Sequence, residues 1–178
     1  MSSSPAISAN GAYLYFGCYD YYVYKLNALD GTKLWRFPTG FTIHGSPVLS
    51  NDESALYVGG EDSSLYAIST AGLDTTDKLW SLQTGGGVES SPVLSRGGAV
   101  VYAGSGDGHL YAASTPTGSQ RWRCATNGSV NSSPALSGDG KTVYVGSDDG
   151  KLYAVNAEDG VKMWASEKSF LPESAHGH

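Results

Sequence analysis

The chain has 178 residues, of which 40% are hydrophobic and 16% charged, and its formal net charge at pH 7 is −6. That length suffices for one domain with a buried core, while the acidic balance and the lack of a Lys/Arg cluster exclude a typical nucleic-acid-binding surface. No run approaches the about 18 apolar residues of a membrane-spanning helix, and we identify no signal-peptide segment, so no compartment is predicted.

One pattern recurs four times along the chain. Each repeat begins with Ser-Pro, continues with Tyr-x-Gly and an Asp, and ends with a Tyr and a Trp. In chain order, the Ser-Pro pairs begin at Ser4, Ser46, Ser91 and Ser133, and the tryptophans are Trp35, Trp80, Trp122 and Trp164. Successive tryptophans are 45, 42 and 42 residues apart. Periods of this length are typical of stacked supersecondary units.

The predicted elements of each repeat are four short antiparallel strands. In repeat four they cover 133–137, 142–146, 151–155 and 161–164, and the Asp- and Gly-rich turns between them supply the positive φ angles that tight hairpins need. In chain order, the repeats are predicted to form blades at approximately 3–37, 45–82, 90–124 and 132–166. Residues 167–178 are interpreted as a tail or as the start of an incomplete fifth blade.

A tryptophan at the same place in every repeat is best explained by packing. Burying one indole stabilises a fold by at most about 4–6 kcal/mol, on the order of 25 cal/mol for each Å² removed from water. A ligand platform would instead need one tryptophan that differs from the others. We therefore predict that Trp35, Trp80, Trp122 and Trp164 are structural anchors.

The fourth repeat carries the motif in its densest form. It reads Tyr144-Val145-Gly146-Ser147-Asp148-Asp149-Gly150-Lys151-Leu152-Tyr153-Ala154, followed by Gly160 and Trp164. This motif resembles the repeat of the pyrroloquinoline-quinone (PQQ) β-propeller family, the quinoprotein alcohol dehydrogenase-like propellers, and the resemblance covers residues 3–168. WD-repeat propellers are less similar, because no Trp-Asp pair is present. The resemblance implies an all-β fold, a β-propeller of four-stranded antiparallel blades with four PQQ-like repeats, either partial or closed as a four-bladed ring.

The resembled family contains both quinone-dependent dehydrogenases and non-catalytic members that hold other proteins. Its enzymes carry a vicinal disulfide, a calcium site of Glu, Asn and Asp, and a catalytic Asp, whereas Cys18 and Cys124 are far apart in this sequence. Because fold alone does not give function, we predict a non-catalytic scaffold for protein–protein interaction, with no catalytic residue, metal or cofactor. The alternatives are a fragment of a PQQ- and calcium-dependent dehydrogenase, or a sensor propeller that binds a small ligand or a metal.

Four blades are fewer than the seven or eight that are usual in this family. An open arc is expected to leave an apolar sheet face of roughly 300 Å² at each end, and patches of that size usually mark interaction sites. The expected partners are therefore proteins, including a second copy of the chain or the missing half of a larger propeller. A self-contained four-bladed ring is the less favoured alternative.

The first candidate site is a set of polar residues just before each Ser-Pro, where propeller chains approach the central channel. Its members occupy equivalent positions but differ in type: His44, Glu89, Asn131 and, in the same register, Glu173. Such side chains converging on one axis are suited to bind a cation or a small polar ligand. The alternative is that a wet channel mouth tolerates any polar residue.

The second candidate site is the hairpin of the first blade. It carries Tyr19, Tyr21 and Tyr22 where repeats three and four have small or polar residues. Tyrosine is enriched at protein interfaces because it offers a large rigid ring with a polar tip. These three residues are candidate protein contacts, with packing over the blade edge as the alternative.

Overall fold

The computed structural model describes residues 3–72 and 76–167. These residues form four antiparallel sheets of four strands, and each sheet contains strands that are consecutive in the sequence, which confirms the predicted all-β propeller architecture. Blade 1 contains β1 (Ala6–Ile7), β2 (Tyr13–Gly17), β3 (Tyr22–Asn27) and β4 (Lys33–Pro38); blade 2 contains β5 (Val48–Leu49), β6 (Ala55–Gly60), β7 (Ser64–Ser69) and β8 (Lys78–Gln83). Blade 3 contains β9 (Val93–Leu94), β10 (Val100–Ser105), β11 (His109–Ser114) and β12 (Gln120–Ala125); blade 4 contains β13 (Ala135–Leu136), β14 (Thr142–Gly146), β15 (Leu152–Asn156) and β16 (Lys162–Ala165).

The innermost strand of each blade is shorter than its sequence pattern predicts. In blade 4 only Ala135 and Leu136 pair with β14, although strand-like residues extend over 133–137. Proline has no N–H to donate to a ladder, so pairing begins only after the Ser-Pro. The Ser-Pro segment instead links neighbouring blades.

A chain of hydrogen bonds between serines joins the innermost strands. The amide of Ser4 donates to the hydroxyl of Ser46 (2.9 Å), that of Ser46 to the hydroxyl of Ser91 (2.8 Å), and that of Ser91 to the hydroxyl of Ser133 (3.0 Å). Each blade is therefore fixed to the next at the axis, which explains why the serine recurs with the blade.

The core consists of three apolar layers, one between each pair of successive blades. All residues of β6 and β10 are buried, whereas β2 and β14 mix buried with half-buried residues. Blades 2 and 3 are covered on both faces, and blades 1 and 4 each leave one face open within the described structure.

The four tryptophans occupy equivalent places in the four sheets. Their cross-strand partners on the third strand are Lys25, Ala67, Ala112 and Ala154. Trp35, Trp80 and Trp122 are 1%, 9% and 8% exposed, whereas Trp164 is 46% exposed. Trp35, Trp80 and Trp122 each face the next blade along the chain. No blade follows blade 4 among the described residues, so Trp164 has no such neighbour there.

Blade 1 departs from the repeat at Lys25, which occupies the place of an alanine in the other blades. This lysine is buried, its Nζ donates to the carbonyl of Thr70 (2.8 Å) and lies 4.1 Å from the ring centroid of Tyr13. In the following blades the equivalent carbonyl accepts the indole N–H of a tryptophan, as Thr115 does from Trp80 (2.7 Å). Lys25 therefore occupies the carbonyl that would otherwise accept a hydrogen bond from Trp35. The buried indole N–H of Trp35 has no hydrogen-bond partner among the described residues.

We expect Lys25→Met to change how stability depends on pH. Burial lowers the pKa of Lys25 below its ordinary value of 10.5, so between those two pKa values the unfolded chain binds more protons than the folded chain. The free energy of unfolding of the wild type should therefore rise, relative to the variant, as pH increases through that window. Urea unfolding from neutral pH to about pH 10 measures this difference.

The matched control is Lys33→Met, which changes an exposed lysine on β4. It is measured over the same pH range, so that replacing a buried lysine is compared with replacing an exposed one. A pH-independent difference between Lys25→Met and the wild type would contradict the prediction.

Candidate functional site

The hairpins between the second and third strands share one side of the arc with the loops that connect successive blades. Two hydrogen bonds show this: the amide of Gly40 donates to Asp62 Oδ2 (2.5 Å), and that of Gly85 to Asp107 Oδ2 (2.8 Å). Each bond joins a connecting loop to the hairpin of the next blade. We call this side, formed by residues 17–22, 39–46, 60–64, 84–91, 105–109, 126–133 and 146–151, the hairpin rim.

The recurring aspartates of the rim have a structural role. Each accepts a hydrogen bond from the tyrosine hydroxyl four residues later, as in Tyr111 to Asp107 (2.5 Å). Burial alone would raise the pKa of Asp107, but the hydrogen bonds from Tyr111 and from the Gly85 amide hold that pKa below its ordinary value. The carboxylate therefore stays ionised and ties the hairpin to the loop beside it.

Two of the predicted channel-mouth residues, His44 and Asn131, are paired with a residue of the hairpin that follows them in the chain. His44 Nε2 lies 3.1 Å from Glu61 Oε1, and Asn131 Nδ2 donates to Asp148 Oδ2 (3.1 Å). Glu89 is half-buried, and Glu173 lies outside the described residues. Across residues 3–72 and 76–167 no cluster of three His, Cys, Asp or Glu side chains has the geometry of a metal site. Ligand binding at the channel mouth stays a prediction.

The tyrosines of the first hairpin join a larger exposed cluster. Tyr19 and Tyr21 are 51% and 44% exposed, and Phe41, from the loop after blade 1, is 48% exposed. Tyr21 stacks on Phe41 with ring centroids 5.3 Å apart, and Tyr19 meets His44 edge-on at 5.1 Å. We call Tyr19, Tyr21 and Phe41 the aromatic patch.

The backbone at Tyr21 is in the left-handed region, with φ of 72°. The equivalent residues of blades 2, 3 and 4 are Ser63, Gly108 and Gly150, with φ of 67°, 82° and 81°. A bulky side chain in this conformation costs on the order of 1 kcal/mol, and such outliers cluster at functional sites. Tyr22 differs from its neighbours because it is half-buried, with the Arg36 guanidinium 4.2 Å from its ring centroid.

Phe41 was not among the residues predicted from the sequence. In the repeat alignment it stands where Gly86 and Gly128 stand in the later loops. The sequence shows that Phe41 departs from the repeat. It does not show that Phe41 pairs with Tyr21, because that pairing requires a loop and a hairpin from different parts of the chain to meet. Glu61 was not predicted as the partner of His44 for the same reason, since its hairpin and the loop that carries His44 are separate segments of the chain.

On the opposite side, clefts recur between neighbouring blades. One of about 490 Å³ lies between blades 2 and 3 beside Trp80, and one of about 300 Å³ lies between blades 3 and 4 beside Tyr102. Their linings include equivalent residues, such as Tyr57 in the first and Tyr102 in the second. Clefts that repeat with the blade follow from the stacking itself and do not single out a ligand site.

Comparisons with known proteins give a family for this chain and a solved structure with a similar fold. The PQQ-repeat family model described as outer membrane protein assembly factor BamB matches residues 71–176, more than half of the chain. The crystal structure of BamB from Moraxella catarrhalis is similar with a TM-score of 0.72 at 20% identity, over 92% of this chain and 47% of that chain. Protein Rv3035 of Mycobacterium tuberculosis (strain ATCC 25618 / H37Rv) is 36% identical over 70 residues, which cover 39% of this chain and 17% of that protein. The chain therefore spans about half the length of the BamB chain and less than a fifth of the Mycobacterium protein.

Proposed function

This chain belongs to the PQQ-repeat family described as outer membrane protein assembly factor BamB, and we propose that it is a non-catalytic scaffold that binds another protein through the aromatic patch. The observation that carries the proposal is the cluster of three large, half-exposed rings on a rim whose other exposed residues are small or polar. Rigid aromatic rings lose little conformational entropy on binding and dominate protein interfaces.

The strained backbone at Tyr21 supports a binding role. A glycine at this position would avoid the cost of the positive φ, as it does in blades 3 and 4. The ring is instead held in place by stacking on Phe41. A surface that is already ordered before binding loses less free energy when a partner docks.

Charge on the rim favours a basic partner surface. Among its described residues the rim carries seven carboxylates and one lysine: Asp20, Glu61, Asp62, Glu89, Asp107, Asp148, Asp149 and Lys151. Complementary potentials accelerate encounter and select the partner more than they add affinity. Association is therefore expected to slow as salt is raised.

The test replaces the aromatic patch with the residues of blade 3, in the triple variant Tyr19→Gly, Tyr21→Gly and Phe41→Gly. Proteins that the immobilised wild-type chain retains from a cell extract are quantified against those that the variant retains. We expect retention of the specific partner to fall at least about 30-fold, the effect of losing a hot-spot side chain. Folding of the variant is checked by its circular dichroism.

The matched control changes a similarly exposed apolar residue away from the rim, Leu79→Ser, which is 52% exposed, and should leave retention unchanged. Equal retention by the wild type and the triple variant would overturn the proposed surface. A rise in melting temperature on adding PQQ with Ca²⁺ would instead favour the dehydrogenase alternative, through ligand linkage.

A further inference from the structure

The exposed Trp164 on blade 4 repeats a structure that is buried elsewhere in the chain. In blade 3, Trp122 and Tyr102 lie side by side with ring centroids 5.6 Å apart, and both donate to the carbonyl of Ala157 in blade 4. In blade 4, Tyr144 and Trp164 form the same pair, 6.0 Å apart. We call Tyr144 with Trp164 the plug.

At the junctions of blades 2 and 3 and of blades 3 and 4, the receiving side is a tight turn with a glycine at positive φ. The indole of Trp80 lies against Gly118 and that of Trp122 against Gly160, so close that a Cβ on either glycine would be 2.6 Å from the ring. Only a glycine leaves room for the indole at this place, and the carbonyl three residues earlier accepts its N–H.

Blade 1 carries the same turn with nothing against it. The amide of Gly31 donates to Asn27 (3.0 Å), as the amide of Gly160 does to Asn156 (3.0 Å), and the φ angles are 73° and 74°. Side chains brace both turns alike, since Asp30 accepts from the Thr32 amide (2.9 Å) and Asp159 from the Val161 amide (3.0 Å). No described atom lies within 4 Å of a Cβ placed at Gly31. We call the turn Ala28–Gly31 the socket.

We propose that blade 4 of one copy of this chain docks on blade 1 of a second copy, with the plug in the socket. The same contact made twice closes two copies into a ring of eight sheets. The size agrees with such a pair, because this chain matches 47% of the BamB chain with a TM-score of 0.72, so two copies together correspond to about the length of that chain. The two contacts together bury about 1,200 Å² of sheet face, within reach of a stable protein interface.

The exposed apolar residues around the plug and the socket support a second copy of the chain as the partner. Met163 and Val161 beside the plug are 56% and 59% exposed, and Leu29 in the socket is 94% exposed. Large exposed side chains beside a preformed turn are typical of an interaction surface. Each chain carries one plug and one socket. A second copy of the chain therefore offers a socket for the plug of the first copy and a plug for its socket.

The test measures the molar mass of the chain in solution by light scattering over a range of concentrations. We expect the wild type to reach twice the monomer mass. Trp164→Ala removes the plug, and Gly31→Asn fills the socket with a residue that tolerates positive φ. Each variant alone is expected to raise the dissociation constant at least about 30-fold.

A mixture of the two variants separates this geometry from general stickiness. The Gly31→Asn copy still has a plug and the Trp164→Ala copy still has a socket, so the mixture should form a heterodimer through one contact although neither variant self-associates. Tyr19→Ala, a similarly exposed aromatic on the hairpin rim, should leave the dimer intact. A wild type that stays monomeric, or a dimer that survives both variants, would overturn the proposal.

Discussion

Replacing Trp122 by alanine is expected to lower the free energy of unfolding by about 3–5 kcal/mol, whereas the same change at Trp164 should cost less than about 1 kcal/mol. Both indoles face the same alanine position of their own sheets, opposite Ala112 and Ala154. Trp122 is 8% exposed and donates to Ala157 (3.2 Å), whereas Trp164 is 46% exposed. The pair of variants therefore measures what the next blade adds to an otherwise equivalent residue.

Urea unfolding of dilute, monomeric protein measures both costs. Stability in stacked repeats is approximately a sum over repeats and their junctions, so losing Trp122 should also uncouple blade 4 from blade 3 and broaden the transition. Similar costs for the two substitutions would show that the indole stabilises its own sheet and does not join neighbouring blades.

The architecture was predictable because each blade is made of strands adjacent in the sequence. The turns that connect them carry their own signals, and Gly150 has the positive φ that the Asp-Gly of its hairpin predicts. A one-residue register shift between the third and fourth strands was not predictable. It recurs in every blade, for example between Ala112 and Ala113, yet an irregular pairing of one residue leaves no trace in composition or periodicity.

From the sequence, residues of the candidate site could be predicted only where a single hairpin differs from the equivalent hairpins of the other repeats. Tyr19 and Tyr21 were visible in this way, and both are exposed. The consequence of Lys25 was not visible, because it depends on the carbonyl of Thr70, which is 45 residues away in the chain. Contacts between blades decide which side chains meet, and the sequence pattern describes only one blade at a time.

Gly118→Ala is expected to cost about 2–4 kcal/mol, whereas Gly31→Ala in the monomer should cost only about 1 kcal/mol. The two glycines have φ angles of 70° and 73°, so the cost of placing a Cβ in a left-handed conformation is shared. At Gly118 the new Cβ would also lie 2.6 Å from the Trp80 ring, and a buried indole moves aside only by disturbing its neighbours. The difference in unfolding free energy between the two variants isolates that contact.

A double-mutant cycle identifies the source of the difference. In a Trp80→Ala background the ring is gone, so Gly118→Ala should cost only the shared backbone term of about 1 kcal/mol. The coupling energy then reports directly how tightly an indole fits this turn. Should the full cost of Gly118→Ala persist without the ring, the turn would be strained for reasons internal to its own blade. The fit of tryptophan against glycine would then not be what orders one sheet upon the next.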